Sequence, residues 1–146
     1  MTTINTYLTF NGNCMEAFDF YKSVFGGEFS YISKFKDMPE NPEFTLSDKD
    51  KEKIMHVSFP ISKETILMGS DTGGEWAPKY LQGNNFSISI AASSKEEADR
   101  LFDGLSKNGK VTMPMSFTFW NSYFGSFTDQ FGINWMVSFD EPNREK

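Results

Sequence analysis

A strand, a capped helix and three further short strands follow one another twice along the chain, and this recurrence limits the fold more than any other feature of the sequence. Residues 4–10 (INTYLTF) alternate, with Leu8 and Phe10 on one face and Asn5, Tyr7 and Thr9 on the other, the period of a half-buried strand. Asn13 stands at a helix N-cap position with Glu16 three residues on. Cys14, Ala17, Phe18, Tyr21, Val24 and Phe25 then recur at helical spacing until Gly26-Gly27 stops the helix. EFSYISKF (28–35), IMHVSFPI (54–61) and ETILMGSD (64–71) read as strands, the last two joined through Ser62-Lys63. Between them, residues 37–53 carry two prolines and dense mixed charge, which predicts a mobile, solvated loop. In the second copy NFSISIA (85–91) alternates and Ser94 with Glu97 forms a capping box. Ala98, Leu101, Phe102 and Leu105 make the helical stripe, and VTMPM, SFTFW, YFGSFTD and INWMVSF read as strand-like stretches. An offset of 81 residues lays Glu16-Ala17 on Glu97-Ala98 and Phe20, Tyr21 and Val24 on Leu101, Phe102 and Leu105. The expected organisation is one domain over 1–146, made of module 1–71 and module 85–140 joined by a connector, 72–84, rich in glycine and proline.

Composition narrows the partners. Fourteen basic residues stand against 20 acidic ones, a formal charge of −6, which opposes a nucleic-acid backbone or an anionic membrane surface. With 16 Phe, 5 Tyr and 3 Trp the chain can build a core without staples, and its single cysteine, Cys14, cannot close an intrachain disulfide. Cys14 lies on the apolar stripe of the first helix, which predicts packing rather than nucleophilic work. The start MTTINTYLTF has neither the basic end nor the apolar run of a signal peptide, and no stretch approaches the roughly 20 apolar residues of a membrane span. The expectation is a cytoplasmic protein with no nucleic-acid or membrane partner.

Several strings sharpen this picture: YLTFNGNCMEAFDFYKSVFGGE, MHVSF, ILMGSD and FWNSYFGSFTDQFGINWMVSF. Together with the tandem βαβββ order they resemble the PhnB-like branch of the vicinal oxygen chelate superfamily, which includes glyoxalase, the bleomycin-resistance proteins and extradiol dioxygenases. The resemblance covers nearly the whole chain, with Gln130 where the closing motif usually has proline and Ile133 where it often has histidine. It implies an α+β fold in which the two modules form a curved, mostly antiparallel sheet with helices outside, completed in a homodimer. Some relatives of this branch carry a methyltransferase label. The first strand-to-helix turn here, Phe10-Asn11-Gly12-Asn13-Cys14, has a single glycine and lacks the G-x-G-x-x-G pattern of a nucleotide-type site.

Metal-using members of the superfamily draw one ligand from the first and one from the last strand of each module. Carried over by strand alternation, those positions are Asn5 (or Thr6), Met68, Ser87 and Met136. Two thioethers and two neutral oxygens are poor donors for a hard divalent ion, so no metal and no other cofactor is expected. The same alternation turns Val57, Phe59, Ile88, Ile90, Ile133, Trp135, Val137 and Phe139 towards helices. It turns His56, Ser58, Ser87, Ser89, Ala91, Asn134, Met136 and Ser138 to the other face. His56 is the only histidine, a polar anchor or general base on one reading and a hydrogen-bonded strand residue on the other. Trp120 and Tyr123 flank Asn121-Ser122 and suit the walls of a pocket, whereas Trp76 and Tyr80 in the connector fit either a cavity mouth or a dimer contact. The candidate ligand-binding set is Asn5, Tyr7, His56, Ser58, Met68, Ser87, Trp120, Tyr123 and Met136, around a small, partly apolar organic molecule held without metal. The alternatives are a metal-dependent lyase, isomerase or dioxygenase using His56, and an interaction dimer with no ligand at all.

Overall fold

In the computed structural model the alternation of TYLTF becomes strand β1 (Thr6–Phe10), and the helical stripe becomes α1 (Cys14–Phe25). The residues described are 2–39, 47–72 and 80–140, and the chain divides into two units between Leu81 and Gln82. The rest of the first unit is β2 (Tyr31–Lys34), a short α2 (Asp48–Lys51), β3 (Ile54–Pro60) and β4 (Ile66–Asp71). Its four strands lie in the order β1-β4-β3-β2, with β1 parallel to β4 and the other pairs antiparallel. Cys14, Ala17, Phe18 and Tyr21 of α1 are buried together with Leu8, Phe10, Val57, Phe59 and Leu67 of the strands. Phe18 lies so close to Gly69 of β4 that a Cβ there would stand 2.7 Å from its Cε1, so only glycine admits the ring.

The expected Asn13 cap is not made: its side chain forms no capping hydrogen bond. Asp71, at the end of β4, caps α1 from a distance, its Oδ1 accepting from the N–H groups of Gly12 (3.0 Å) and Cys14 (2.9 Å). Oδ2 accepts from the N–H of Ile54 at 2.9 Å, so one carboxylate ties β4 to the helix start and to β3. Within the expected loop 37–53 the described ends are ordered locally: Phe35–Asp37 forms a 3₁₀ turn, and Ser47 caps α2 by accepting from the N–H of Asp50 at 3.1 Å. Residues 40–46 of that loop, and Trp76 in the connector, lie outside the described residues.

The second unit repeats the order: β5 (Ile88–Ala91), α3 (Lys95–Leu105), β6 (Lys110–Phe117), β7 (Tyr123–Thr128) and β8 (Asn134–Phe139). Its sheet runs β5-β8-β7-β6, again with the first strand parallel to the last. Ser94 caps α3, accepting from the N–H of Glu97 at 3.0 Å, but the Glu97 carboxylate turns to Ser93, whose N–H and hydroxyl both donate to Oε1. The reciprocal half of the capping box is thus displaced by one residue. Ala98, Leu101, Phe102 and Leu105 are buried, with Phe102 edge-on to Phe127 and packed against Gly125 as Phe18 is against Gly69. VTMPM and the first two residues of SFTFW join into the single edge strand β6, the remaining three forming the turn before β7; the β6 register shifts on both sides of Met113, and Pro114 is tolerated there because an edge strand can spare an N–H.

Candidate functional site

The face of the first sheet turned away from α1 is assembled by register. Tyr7, Met68, Ser58 and Tyr31 are successive partners across β1, β4, β3 and β2, so their side chains share one face. His56 lies two residues before Ser58 on the same face and is paired with Ser33 of β2. Tyr7 and Tyr31 sit on opposite edges of the sheet, three strand spacings or roughly 14 Å apart, yet both rings lean over His56, at centroid distances of 5.6 and 5.9 Å. Both remain about half exposed, at 47% and 53%. The imidazole is held at both nitrogens: Nε2 is 2.8 Å from Ser58 Oγ, and Nδ1 is 3.4 Å from the phenolic oxygen of Tyr7. The tautomer decides which partner donates.

Ser33 is a finding that alternation alone did not single out. It is 5% exposed and its hydroxyl has no hydrogen-bond partner among the described residues, a state that costs about 1–3 kcal/mol unless something polar comes to it. Tyr31 was likewise not among the predicted residues, since which β2 residue stands opposite His56 depends on pairing register. Asn5 lies just before β1 and serves the backbone, its Oδ1 accepting from the N–H of Ile66 at 3.2 Å.

In the second unit the predicted residues separate. Ser87 precedes β5 and is exposed, because the strand starts at Ile88 rather than at Asn85. Met136 stands between Ser89 and Ser126 in register on the face turned from α3. Trp120, 48% exposed in the turn before β7, packs edge-on to Phe119 and against Phe124 of that same face. Tyr123 points the other way. Its hydroxyl donates to Asp99 Oδ1 of α3 at 2.5 Å, and Lys95 Nζ lies 4.7 Å over its ring. The hydrogen bond to Asp99, then burial, then the Asp99 charge hold the Tyr123 phenol above its ordinary pKa. Tyr123 and Phe124 are successive residues of β7 and face opposite sides of the sheet, so Tyr123 and Trp120, which packs on Phe124, do not share a face.

Two buried carboxylates outside the predicted set organise the closing strings of each module. Asp129, 3% exposed, accepts at Oδ1 from the N–H groups of Phe131 (2.8 Å) and Ile133 (3.0 Å), and at Oδ2 from the indole N–H of Trp135 (2.8 Å). It fixes the β7–β8 hairpin as Asp71 fixes the start of α1. The Cys14 thiol is wholly buried, and desolvation together with the Asp71 charge pushes its pKa far up, which removes it as a nucleophile.

The residues at the inherited metal positions do not fit a hard divalent ion: Asn5 is engaged with the backbone, Met68 and Met136 offer thioethers, and Ser87 stands outside its strand. Among the described residues no three His, Cys, Asp or Glu side chains are grouped to hold a metal.

A family model described as 3-demethylubiquinone-9 3-methyltransferase matches residues 2–138. The chain belongs to that family. Among curated proteins it is 31% identical to Protein YjdN of Escherichia coli over 141 residues, covering 92% of this chain and 93% of that one. The crystal structure of PA1353 from Pseudomonas aeruginosa is 41% identical, with a TM-score of 0.81 over 96% of this chain and 98% of that chain. A protein from Bacillus cereus described as a putative 3-demethylubiquinone-9 3-methyltransferase, PhnB protein, shares 24% identity, a TM-score of 0.70 and coverage of 94% and 99%. The fold extends to a glyoxalase/bleomycin resistance protein/dioxygenase family enzyme from Burkholderia phytofirmans, at 13% identity, a TM-score of 0.60 and coverage of 93% and 98%. The two four-stranded mixed sheets with their helices are the glyoxalase/bleomycin-resistance form of the α+β class. No helix among the described residues is long and apolar enough to cross a membrane.

Proposed function

We propose that this PhnB-like chain is a binding protein that holds a small, partly apolar organic molecule without metal and without chemistry on it, as a homodimer in the cytoplasm. The observation that carries the reading is the convergence of Tyr7 and Tyr31 on His56: three flat rings, half open to solvent, with Ser58 and Met68 beside them. Rings stack on a flat ligand while the imidazole and hydroxyls fix its polar end. Met136 with Trp120 and Phe124 forms a second candidate surface, in the other module.

The family's methyltransferase description is not supported by the β1–α1 turn. A nucleotide-type cofactor would use free backbone N–H groups there, and those of Gly12 and Cys14 are already taken by the Asp71 carboxylate. An unbiased native mass-spectrometric survey of metabolite extracts tests the binding reading. A retained small molecule that is lost on His56→Ala, with circular dichroism unchanged, supports it; retention by the His56→Ala protein would place the site elsewhere.

A further inference from the structure

We propose that the ligand of the His56 face is a planar monocarboxylate, whose two oxygens take the hydroxyls of Tyr7 and Ser58 over a protonated imidazole. The inference rests on the binding reading above and adds the ligand's charge and polar group. It follows from counting donors. In a neutral imidazole one ring nitrogen donates and the other accepts, so of the two hydroxyls bonded to His56 one must spend its hydrogen on the ring and only one is left to donate outward. Protonation makes both nitrogens donors. Tyr7 and Ser58 then both accept from the ring, and both O–H groups are released to a ligand. Two hydroxyl donors flanking a single positive charge match the two oxygens and single charge of a carboxylate.

The surroundings set the limit at one charge. β1 presents Tyr7 and Thr9 to this face, β4 Met68 and Ser70, and β2 Tyr31 and Ser33; none of these carries a fixed charge. Among the described residues of these strands a dianion such as a phosphate monoester would find no second cation on this face, whereas a monoanion is compensated by His56 alone. Tyr7 and Tyr31, leaning in from opposite edges of the sheet, supply stacking for a flat body. The Ser33 hydroxyl beside His56, buried and without a partner among the described residues, is a further polar group on this face that a ligand can satisfy.

His56 is the only histidine, so its ring signals in proton NMR report this site without assignment. Benzoate and benzyl alcohol, flat molecules that differ in charge, serve as probes. Benzoate is expected to bind the imidazolium form about tenfold more tightly than the neutral form, so at saturation the midpoint of the His56 titration rises by about one pH unit, the reciprocal of the same coupling. Benzyl alcohol is expected to perturb the His56 signals without moving the midpoint. Tyr7→Phe, which keeps the ring, and Ser58→Ala should each weaken benzoate about tenfold and leave benzyl alcohol within twofold. If benzyl alcohol perturbs His56 but benzoate leaves the midpoint where it was, the carboxylate inference falls and the binding reading stands. If neither probe perturbs His56, both fall.

Discussion

Asp71 and Asp129 show how a buried carboxylate can be structural. Each distributes three N–H donors over its two oxygens, and the hydrogen bonds replace the lost water. The closing string D-x-F-G…W, which carries much of the family resemblance, is thereby explained as a clamp on a hairpin rather than as chemistry. Asp129→Asn keeps one accepting oxygen but sets an NH₂ group against the Trp135 indole N–H, and is expected to cost about 2–4 kcal/mol, read as a lowered midpoint in urea denaturation. Asp129→Ala should cost at least as much. Tyr123 makes a prediction at alkaline pH. Because its pKa is raised in the folded state by the bond to Asp99, the stabilisation is present below the unfolded phenol's ordinary value of about 10 and is lost as pH rises through the higher folded value. Lys95, its pKa raised by Tyr123 and then Asp99, loses its share in the same direction. Stability should therefore fall above about pH 10, and in the Tyr123→Phe protein that fall should be shallower; an identical alkaline slope would show that the Tyr123–Asp99 pair is not its source.

At the scale of helices and strands, alternation and helical spacing place the eight strands and two long helices of the described residues, apart from reading β6 as two stretches, since their signals lie in consecutive residues. What was not legible was anything that depends on a distant partner. The cap of α1 comes from the far end of β4, which no local pattern can announce, and the neighbouring Asn13 is the wrong choice despite its suitable chemistry. Tyr31 joins His56 only through the β2–β3 register, and Tyr123 and Trp120, close in sequence, part because Trp120 folds from the turn onto Phe124, which β7 presents on the face opposite Tyr123. The β4 strand offers a direct test of helix-on-sheet packing. Gly69→Ala would force Phe18 out of its place against the strand, so a loss of about 1–3 kcal/mol is expected. The double variant Gly69→Ala/Phe18→Leu should recover part of it. Non-additivity between the two substitutions is the sign that the ring and the glycine are one contact.

For the molecule as a whole, the same topology twice, with the first strand parallel to the last in each sheet, is what duplication of one βαβββ unit would leave. The two copies have not kept the same surface: the first carries the Tyr7–His56–Tyr31 cluster, and the second Met136 and an edge strand, β6, that is exposed along most of its length. An exposed edge strand bearing Val111, Met113 and Phe117, each more than two-fifths exposed, is normally covered in the working state of a protein, because open backbone donors and apolar side chains invite pairing. That supports the homodimer. Light scattering after size exclusion is expected to give about 33 kDa, twice the chain mass of 16.7 kDa, with no change on adding a chelator, since the residues at the inherited ligand positions are poor donors for a hard divalent ion. The melting temperature should likewise be unaffected by chelation, because an ion bound only by the native state would raise it by mass action. A stoichiometric divalent ion that survives dialysis would overturn the metal-free reading, and a 16.7 kDa species at micromolar concentration would overturn the dimer. The two claims stand apart: the first rests on the chemistry of Asn5, Met68, Ser87 and Met136, the second on the exposure of β6.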